Sequence, residues 1–248
     1  MRINNKYENQ KYFWEYAGNI GYGKAIFSNP TVERHITTKQ WQSVIYVAGY
    51  VGLDKDSRVI ELGCGDGNFA ENVLSCHYKH VDAYDMSRSA IESARSRSKS
   101  ENVSYYIQDI STYDFGPNAH WDGAFLIGFI HHIKDFAPLI ISRLAKVCPK
   151  VIVLEPNGDN IVRKLLEQLP SYRQAGENSF RLKEIINIFN SNDYTVKIIS
   201  RINIIPPFLP EILFPSFKSL ERLVESIFFL NKMCATYILG FEHRHWNK

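Results

Sequence analysis

The stretch Val59-Ile60-Glu61-Leu62-Gly63-Cys64-Gly65-Asp66-Gly67-Asn68-Phe69 decides how the rest of the chain is read. Val59 to Leu62 is a short, mostly apolar run that suits a buried strand. Gly63, Gly65 and Gly67 then permit a turn that lets a ligand approach the backbone, because glycine takes conformations closed to other residues. The helix opening behind them presents free amide groups at its N-terminus. Strand, glycine turn and helix together begin a nucleotide-type α/β unit.

Outward from this stretch, short apolar runs alternate with helical patterns. Arg58 to Leu62, His80 to Tyr84, Val103 to Gln108, Ala124 to Ile127 and Val151 to Leu154 read as strands, apolar on both faces as in a buried parallel sheet. Helices are predicted at about Asp66 to Cys76, Ser87 to Lys99, Phe136 to Val147, Asn160 to Leu169 and Leu182 to Asn192. The alternation implies right-handed crossovers and a doubly wound, Rossmann-like α/β sheet. A sixth strand, about Tyr194 to Ile204, should run parallel to the first five. It leads into a segment punctuated by Pro206, Pro207, Pro210 and Pro215, and a last run, Cys234 to Phe241, reads as a seventh, antiparallel strand. The expected organisation is an aromatic-rich helical cap over 1–52, a core over 53–205, a helical insertion or lid over 206–232 and the final core strand over 233–248.

The 248 residues are 45% hydrophobic and 22% charged, enough to bury a sizeable core without covalent staples. The net charge of +3 falls well short of the dense basic fields of a dedicated nucleic-acid binder, although charge alone excludes no partner. Cys64, Cys76, Cys148 and Cys234 lack the paired spacing of a zinc site and are read as reduced thiols. Met1 to Gln10 hold no apolar run, and no stretch reaches the ~20 apolar residues of a spanning helix, so a cytoplasmic location is the default expectation.

Two further residues extend the glycine turn into a pocket. The second strand ends in Asp85, within Ala83-Tyr84-Asp85-Met86-Ser87, where an acidic residue in a Rossmann unit grips a ribose diol. The third ends in Gln108-Asp109-Ile110. Acids at successive strand tips beside a glycine turn describe a nucleoside site.

The segment Glu61-Leu62-Gly63-Cys64-Gly65-Asp66-Gly67 resembles the first motif, E/D-h-G-x-G-x-G, of class I S-adenosylmethionine-dependent methyltransferases, and the resemblance runs from Val59 to about Pro156. It implies S-adenosylmethionine as cofactor, with Gly63 and Gly65 along its methionine part, Asp85 at the ribose hydroxyls, Met86 on the adenine, and Asp109 with Ile110 at the adenine edge. Glu61, Cys64 and Ile127 complete the implied cofactor set. Trp121 to Ile127, continuing as Gly128-Phe129-Ile130-His131-His132-Ile133, is similar to the family's fourth strand and its "LHHL" continuation. The G-x-G-x-x-G spacing of dinucleotide-dependent dehydrogenases is absent.

Subclass signatures narrow the acceptor. Ile127-Gly128-Phe129 stands where adenine amino-methylating enzymes carry [DNS]-P-P-[YFW], Cys148-Pro149 reverses the Pro-Cys of cytosine C5 enzymes, and Gly128 to Lys134 lacks the glutamate pair of arginine methylation. A small-molecule acceptor is expected, with no nucleic acid. A loose resemblance to surface-polysaccharide and natural-product methyltransferases points to a hydroxyl of a sugar or sugar-nucleotide, with Tyr22, Asn157, Tyr172 and Arg173 as substrate contacts. A hydroxyl acceptor needs a base. His131, His132 and Glu155, at the carboxyl edge of the sheet, are the candidates, each also readable as structural. His243 and His245 would share a face if both lay in a strand, but are read as a solvated edge, and no metal is expected. The apolar stretch Ile204 to Leu230 keeps a lipid or isoprenoid acceptor open, a non-catalytic cofactor-binding regulatory subunit is the alternative of another class, and a homodimer is left open.

Overall fold

Alternating side chains sort the strands between two hydrophobic layers. In the computed structural model, which describes residues 27, 29–116, 118–174 and 176–246, seven strands form one sheet: β1 (Arg58–Leu62), β2 (His80–Asp85), β3 (Val103–Ile107), β4 (Gly123–Ile127), β5 (Lys150–Pro156), β6 (Tyr194–Ile202) and β7 (Thr236–His243), in the order β3-β2-β1-β4-β5-β7-β6. Strands β1 to β5 pair in parallel. Strand β7 is antiparallel to both β5 and β6, so β6 runs parallel to the first five, as its sequence led one to expect.

Ile60, Leu62, Leu126, Val151 and Val153 face one layer, with α4 (Ala137–Leu144) and α7 (Leu182–Asn190) supplying Ile140, Ile141, Leu144, Ile185 and Phe189. Their neighbours Val59, Phe125, Ile152 and Leu154 face the other layer, packed by α1 (Pro30–Tyr50), α2 and α3 (Arg88–Arg97). Helix α2 differs from the sequence reading: it contains a π-helical turn, Ala70–Leu74, before closing as Ser75–His77. Such turns concentrate beside functional sites, and this one follows the glycine turn. Two short helices, α5 (Ile161–Leu166) and α6 (Pro170–Gln174), follow β5.

Helix α1 is started by Asn29, whose side chain accepts the Val32 amide, and by Pro30 at its first turn. It lies against β7 because Gly240 has no side chain: a Cβ there would stand 2.8 Å from Val51 Cγ1 and 2.9 Å from Val47 Cγ1. Tyr22 and the other aromatics before Phe27 lie outside the described residues. Strand β7 ends at His243, and His245 lies beyond it, donating its amide to His243 Nδ1 at 3.2 Å, so the two do not share a strand face. Among the described residues, no helix is long and apolar enough to cross a membrane.

The segment expected as an insertion forms α8 (Phe214–Ser226) between short 3₁₀ turns, Glu211–Leu213 and Leu230–Met233. Its start packs on α1 through Val32, Ile36, Ile205 and Leu209. Glu221, 1% exposed, fixes the contact: it lies 2.7 Å from His35 Nε2, accepts Lys39 Nζ at 2.8 Å and accepts the Ile204 amide at 3.0 Å. Burial pushes this carboxyl up, but Lys39 and His35 outweigh it and hold it below the ordinary carboxylate range. Its stabilising effect is therefore present above the unfolded carboxylate value and lost as the pH falls through the depressed one. Replacing Glu221 by Ala, which leaves His35 and the Ile204 amide without their acceptor and Lys39 with Glu225 alone, is expected to cost about 2 kcal/mol in urea unfolding near neutral pH. A loss below about 0.5 kcal/mol would show that the insertion is not anchored there.

Candidate functional site

At the end of β1 the chain turns back over the tip of β2. The amides of Gly63 and Cys64 both donate to the Tyr84 carbonyl, at 2.8 and 3.0 Å, and the Gly65 amide donates to Asp85 Oδ2 at 2.8 Å. Asp85 Oδ1 accepts the Ser87 amide at 2.8 Å, which starts α3. Gly63 sits at φ +75°, and a Cβ on it would lie 2.2 Å from Phe129 Cδ2, so both conformation and space demand glycine. Phe129 belongs to the loop after β4, and its ring closes the turn from the far side.

This turn floors a cavity of about 1060 Å³ along the carboxyl edge of the sheet. That is the upper end of the usual ~300–1,000 Å³ for small-molecule sites, room for more than one ligand. All nine expected cofactor residues line it: Glu61, Gly63, Cys64, Gly65, Asp85, Met86, Asp109, Ile110 and Ile127. Glu61 is 2% exposed and its Oε2 has no hydrogen-bond partner. Burial, with Asp85 and Asp66 adding repulsion, pushes its carboxyl up to about 8. An orphaned, crowded carboxylate of this kind is relieved by a cationic ligand group. Burial also drives the Cys64 thiol upward, so it remains protonated and is no nucleophile.

Across the cavity lies a chain of alternating charges. Glu155 at the end of β5, fully buried, accepts the Phe129 and Ile130 amides on Oε1, at 3.0 and 2.9 Å, and holds His131 Nδ1 with Oε2 at 2.6 Å. His131 Nε2 meets Glu177 Oε2 at 3.3 Å, Glu177 pairs with Arg163, and the Arg163 guanidinium lies 5.3 Å over the Tyr172 ring. Burial opposes charge on His131, but the two carboxylates prevail and push it up to about 10. Glu177 is correspondingly held far below the ordinary carboxylate range, burial being outweighed by His131 and Arg163.

The expected catalytic and substrate residues are redistributed by this arrangement. His131 is an imidazolium with both nitrogens engaged, so it cannot take a proton from an acceptor. Glu155 spends both oxygens on the loop after β4 and does not line the cavity, so it is no base either. His132 does line it, its ring 3.9 Å from that of His131. Tyr172 lines the cavity too. Arg173 is exposed and bonds Gln168 instead, at 2.8 Å. Asn157 is buried away from the cavity, its Nδ2 donating to the carbonyls of Cys234 at 2.7 Å and Lys232 at 3.2 Å, so it ties β5 to the start of β7. Glu177, Arg163 and Asn203 are among the cavity residues that sequence reading missed. Ligand atoms of His131, His132 and Glu177 lie within 4.8 Å of one another, near enough to hold one cation, but His131 and Glu177 are already neutralised by each other, Glu155 and Arg163.

Because His131 is raised from an ordinary 6.5 to about 10, its contribution to stability is whole below about 6.5 and is lost as the pH rises through about 10. In urea unfolding, His131→Gln should be less stable than wild type by about 3 kcal/mol at pH 6.5, and the gap should shrink steadily as the pH rises toward about 10. A gap that is constant with pH would show that His131 is uncharged in the folded chain.

Comparison with known proteins agrees with this geometry. A family model described as a methyltransferase domain matches residues 34–197. Nodulation protein NoeA of Rhizobium meliloti (strain 1021) is 25% identical over 140 residues, 49% of this chain, which spans only 29% of that relative's length. Among solved structures, magnesium protoporphyrin IX methyltransferase from Synechocystis PCC 6803 with bound SAH is similar at a TM-score of 0.64 and 13% identity, over 95% of this chain and 99% of that one. N-methyltransferase NodS from Bradyrhizobium japonicum WM9 is similar at 0.58 and 12%, over 88% and 99%. The methyltransferase activator Trm112 of Haloferax volcanii was solved in complex with a methyltransferase that is similar at 0.64 and 13%, over 94% and 98%. The family match covers more than half of the chain, and the glycine turn, the acidic strand tips and the sheet order all fit it: the chain belongs to the methyltransferase-domain family and has the class I fold of S-adenosylmethionine-dependent methyltransferases.

Proposed function

We propose that the chain transfers a methyl group from S-adenosylmethionine to a small polar acceptor, a hydroxyl or amine of a sugar or sugar-nucleotide. The observation that carries this reading is one continuous cavity with two unlike walls: Glu61, Asp85 and Asp109 on the β1-β2-β3 side, and His132, Tyr172, Arg163 and Asn203 on the other. The cofactor supplies an electrophilic methyl on a cationic sulfur; the chain's residues bind, orient and exclude water. Glu61 would meet the cofactor's positive charge, Asp85 would accept from the ribose hydroxyls, Met86 would pack on the adenine, Asp109 with Ile110 would meet the adenine edge, and Gly63 and Gly65 would let the methionine part approach the backbone. Transfer itself is mainly positioning. A hydroxyl acceptor must also lose a proton, and His132, held against the fixed His131 ring, is the imidazole on the cavity wall able to receive it. Tyr172, whose phenol is pushed up by burial, stays a donor at neutral pH. NodS is named an N-methyltransferase, which supports including amines among the acceptors.

A second reading, an acceptor with a lipid or isoprenoid part, is favoured by apolar residues that are both on the cavity wall and exposed, Ile161 and Val162 on α5, Leu220 on α8 and Met233.

The test is methyl transfer from labelled S-adenosylmethionine to a panel of nucleotide sugars, amino sugars, sugar acids and their lipid-linked forms, with cofactor affinity followed by calorimetry. Asp85→Ala is expected to weaken cofactor binding by about 1.5 to 3 kcal/mol. His132→Ala is expected to lower turnover of a hydroxyl acceptor roughly 10²-fold with cofactor affinity within about twofold. Unchanged affinity in Asp85→Ala removes the ribose from that strand tip. Normal turnover of a hydroxyl acceptor in His132→Ala removes His132 as its base, and transfer only to the lipid-linked forms favours the second reading.

A further inference from the structure

Asn203 stands directly after β6 on the cavity wall, 2% exposed and at φ +65°. Its backbone is held from both sides: the amide donates to Glu225 Oε1 at 2.8 Å, and the carbonyl accepts the Ala235 amide at 2.6 Å. Among the described residues its side chain has no hydrogen-bond partner at either Oδ1 or Nδ2. A carboxamide offers two donors and a carbonyl acceptor, and leaving all of them buried and unused is a costly arrangement that native chains avoid. Backbone conformation does not explain the choice. Glycine adopts the left-handed region more easily, and asparagine is usually kept there by a bond to its own backbone, which is missing here.

The location identifies what the amide meets. The residue before it, Ile202, pairs with Thr236, which pairs in turn with Pro156 at the tip of β5. Asn203 is therefore on the β5-β7-β6 side, separated by β4 and β1 from Asp85 on β2. The cavity wall on this side includes Ile204, Ile205, Val224 and Ala235, whose side chains cannot hydrogen-bond, and Thr236, whose side chain can but is not bonded to the Asn203 amide.

We propose that Asn203 determines acceptor specificity, its carboxamide bonding a group of the acceptor that both donates and accepts, a hydroxyl or an amide next to the methylated atom. This rests on the methyl-transfer reading of the cavity. A site built to bond such a group rejects the analogue that lacks it far more strongly than an apolar wall discriminates by size, because the protein's own polar atoms are then left unpaired.

Asn203→Gly keeps the backbone conformation and removes the amide; Asn203→Asp keeps the shape and replaces the donor by an acceptor. Each is compared with wild type in thermal melting, in S-adenosylmethionine affinity, and in kcat/KM on the panel acceptor that wild type uses best, alongside its deoxy and deacetylated analogues. Asn203→Gly should melt at or above the wild-type temperature, bind the cofactor within about twofold, and lose roughly 10²-fold in kcat/KM on the full acceptor while changing little on one analogue. Asn203→Asp should retain part of the activity on a hydroxyl, which can donate to it. Equal losses on every acceptor, or no loss, overturn the proposal. So does a melting temperature lowered by several degrees, which would show that the amide supports the fold. If wild type methylates no acceptor, the methyl-transfer reading is what fails, and the melting comparison alone then decides whether the amide is structural.

Discussion

Two successive amides, of Gly63 and Cys64, end on one carbonyl, that of Tyr84, and the next amide, of Gly65, ends on the Asp85 carboxylate. This small set of bonds ties the tip of β1 to the tip of β2, and the cavity follows from it. The turn can close this tightly only with glycine at 63, which admits the Phe129 ring from the loop after β4. It also leaves Glu61 beneath the turn with one oxygen unpartnered. Asp85 thus acts twice, fixing the turn with lone pairs that face the backbone and offering what remains to the cavity.

The opposite wall is organised by a second carboxylate, Glu155. Its two amide bonds set the loop after β4, and its bond to His131 begins a sequence of alternating charges through Glu177 and Arg163 to Tyr172. Each member is buried or half-buried and paired, and breaking one pair would strand its partner. The adjacent histidines consequently differ in kind: one is locked as a cation in the scaffold, the other is presented to the cavity. Helices α1 and α8 complete that wall, joined by Glu221.

Much of the fold was legible in the sequence, because local chemistry carried it. Short runs apolar on both faces marked the strands, three glycines marked the turn, and acids at strand ends marked one wall of the cavity. The acceptor wall was less legible. Asn157 and Arg173 are polar residues in the segment after β5, yet one bonds backbone carbonyls before β7 and the other is exposed and bonds Gln168. Nothing in Gly176-Glu177-Asn178 or Ile202-Asn203-Ile204 announces a function. Glu177 and Asn203 reach the cavity only because β5, β6 and the segments between them fold back to one edge, and that proximity has no local signature. The His131-His132 pair was found, but its protonation depends on Glu155 and Glu177, distant residues whose contact with it no spacing foretells.

The central claim is that the cofactor's positive charge is received beneath the glycine turn, by Glu61. Burial and the neighbouring acids hold this carboxyl at about 8, so near pH 6.5 it is protonated in the free protein and should ionise when a cation arrives. Titration calorimetry of S-adenosylmethionine binding in buffers of different ionisation enthalpy counts the protons released. The expected result is close to one proton released near pH 6.5, absent in Glu61→Gln. Binding with no buffer-dependent heat in the wild-type protein, or the same release in Glu61→Gln, would contradict the account.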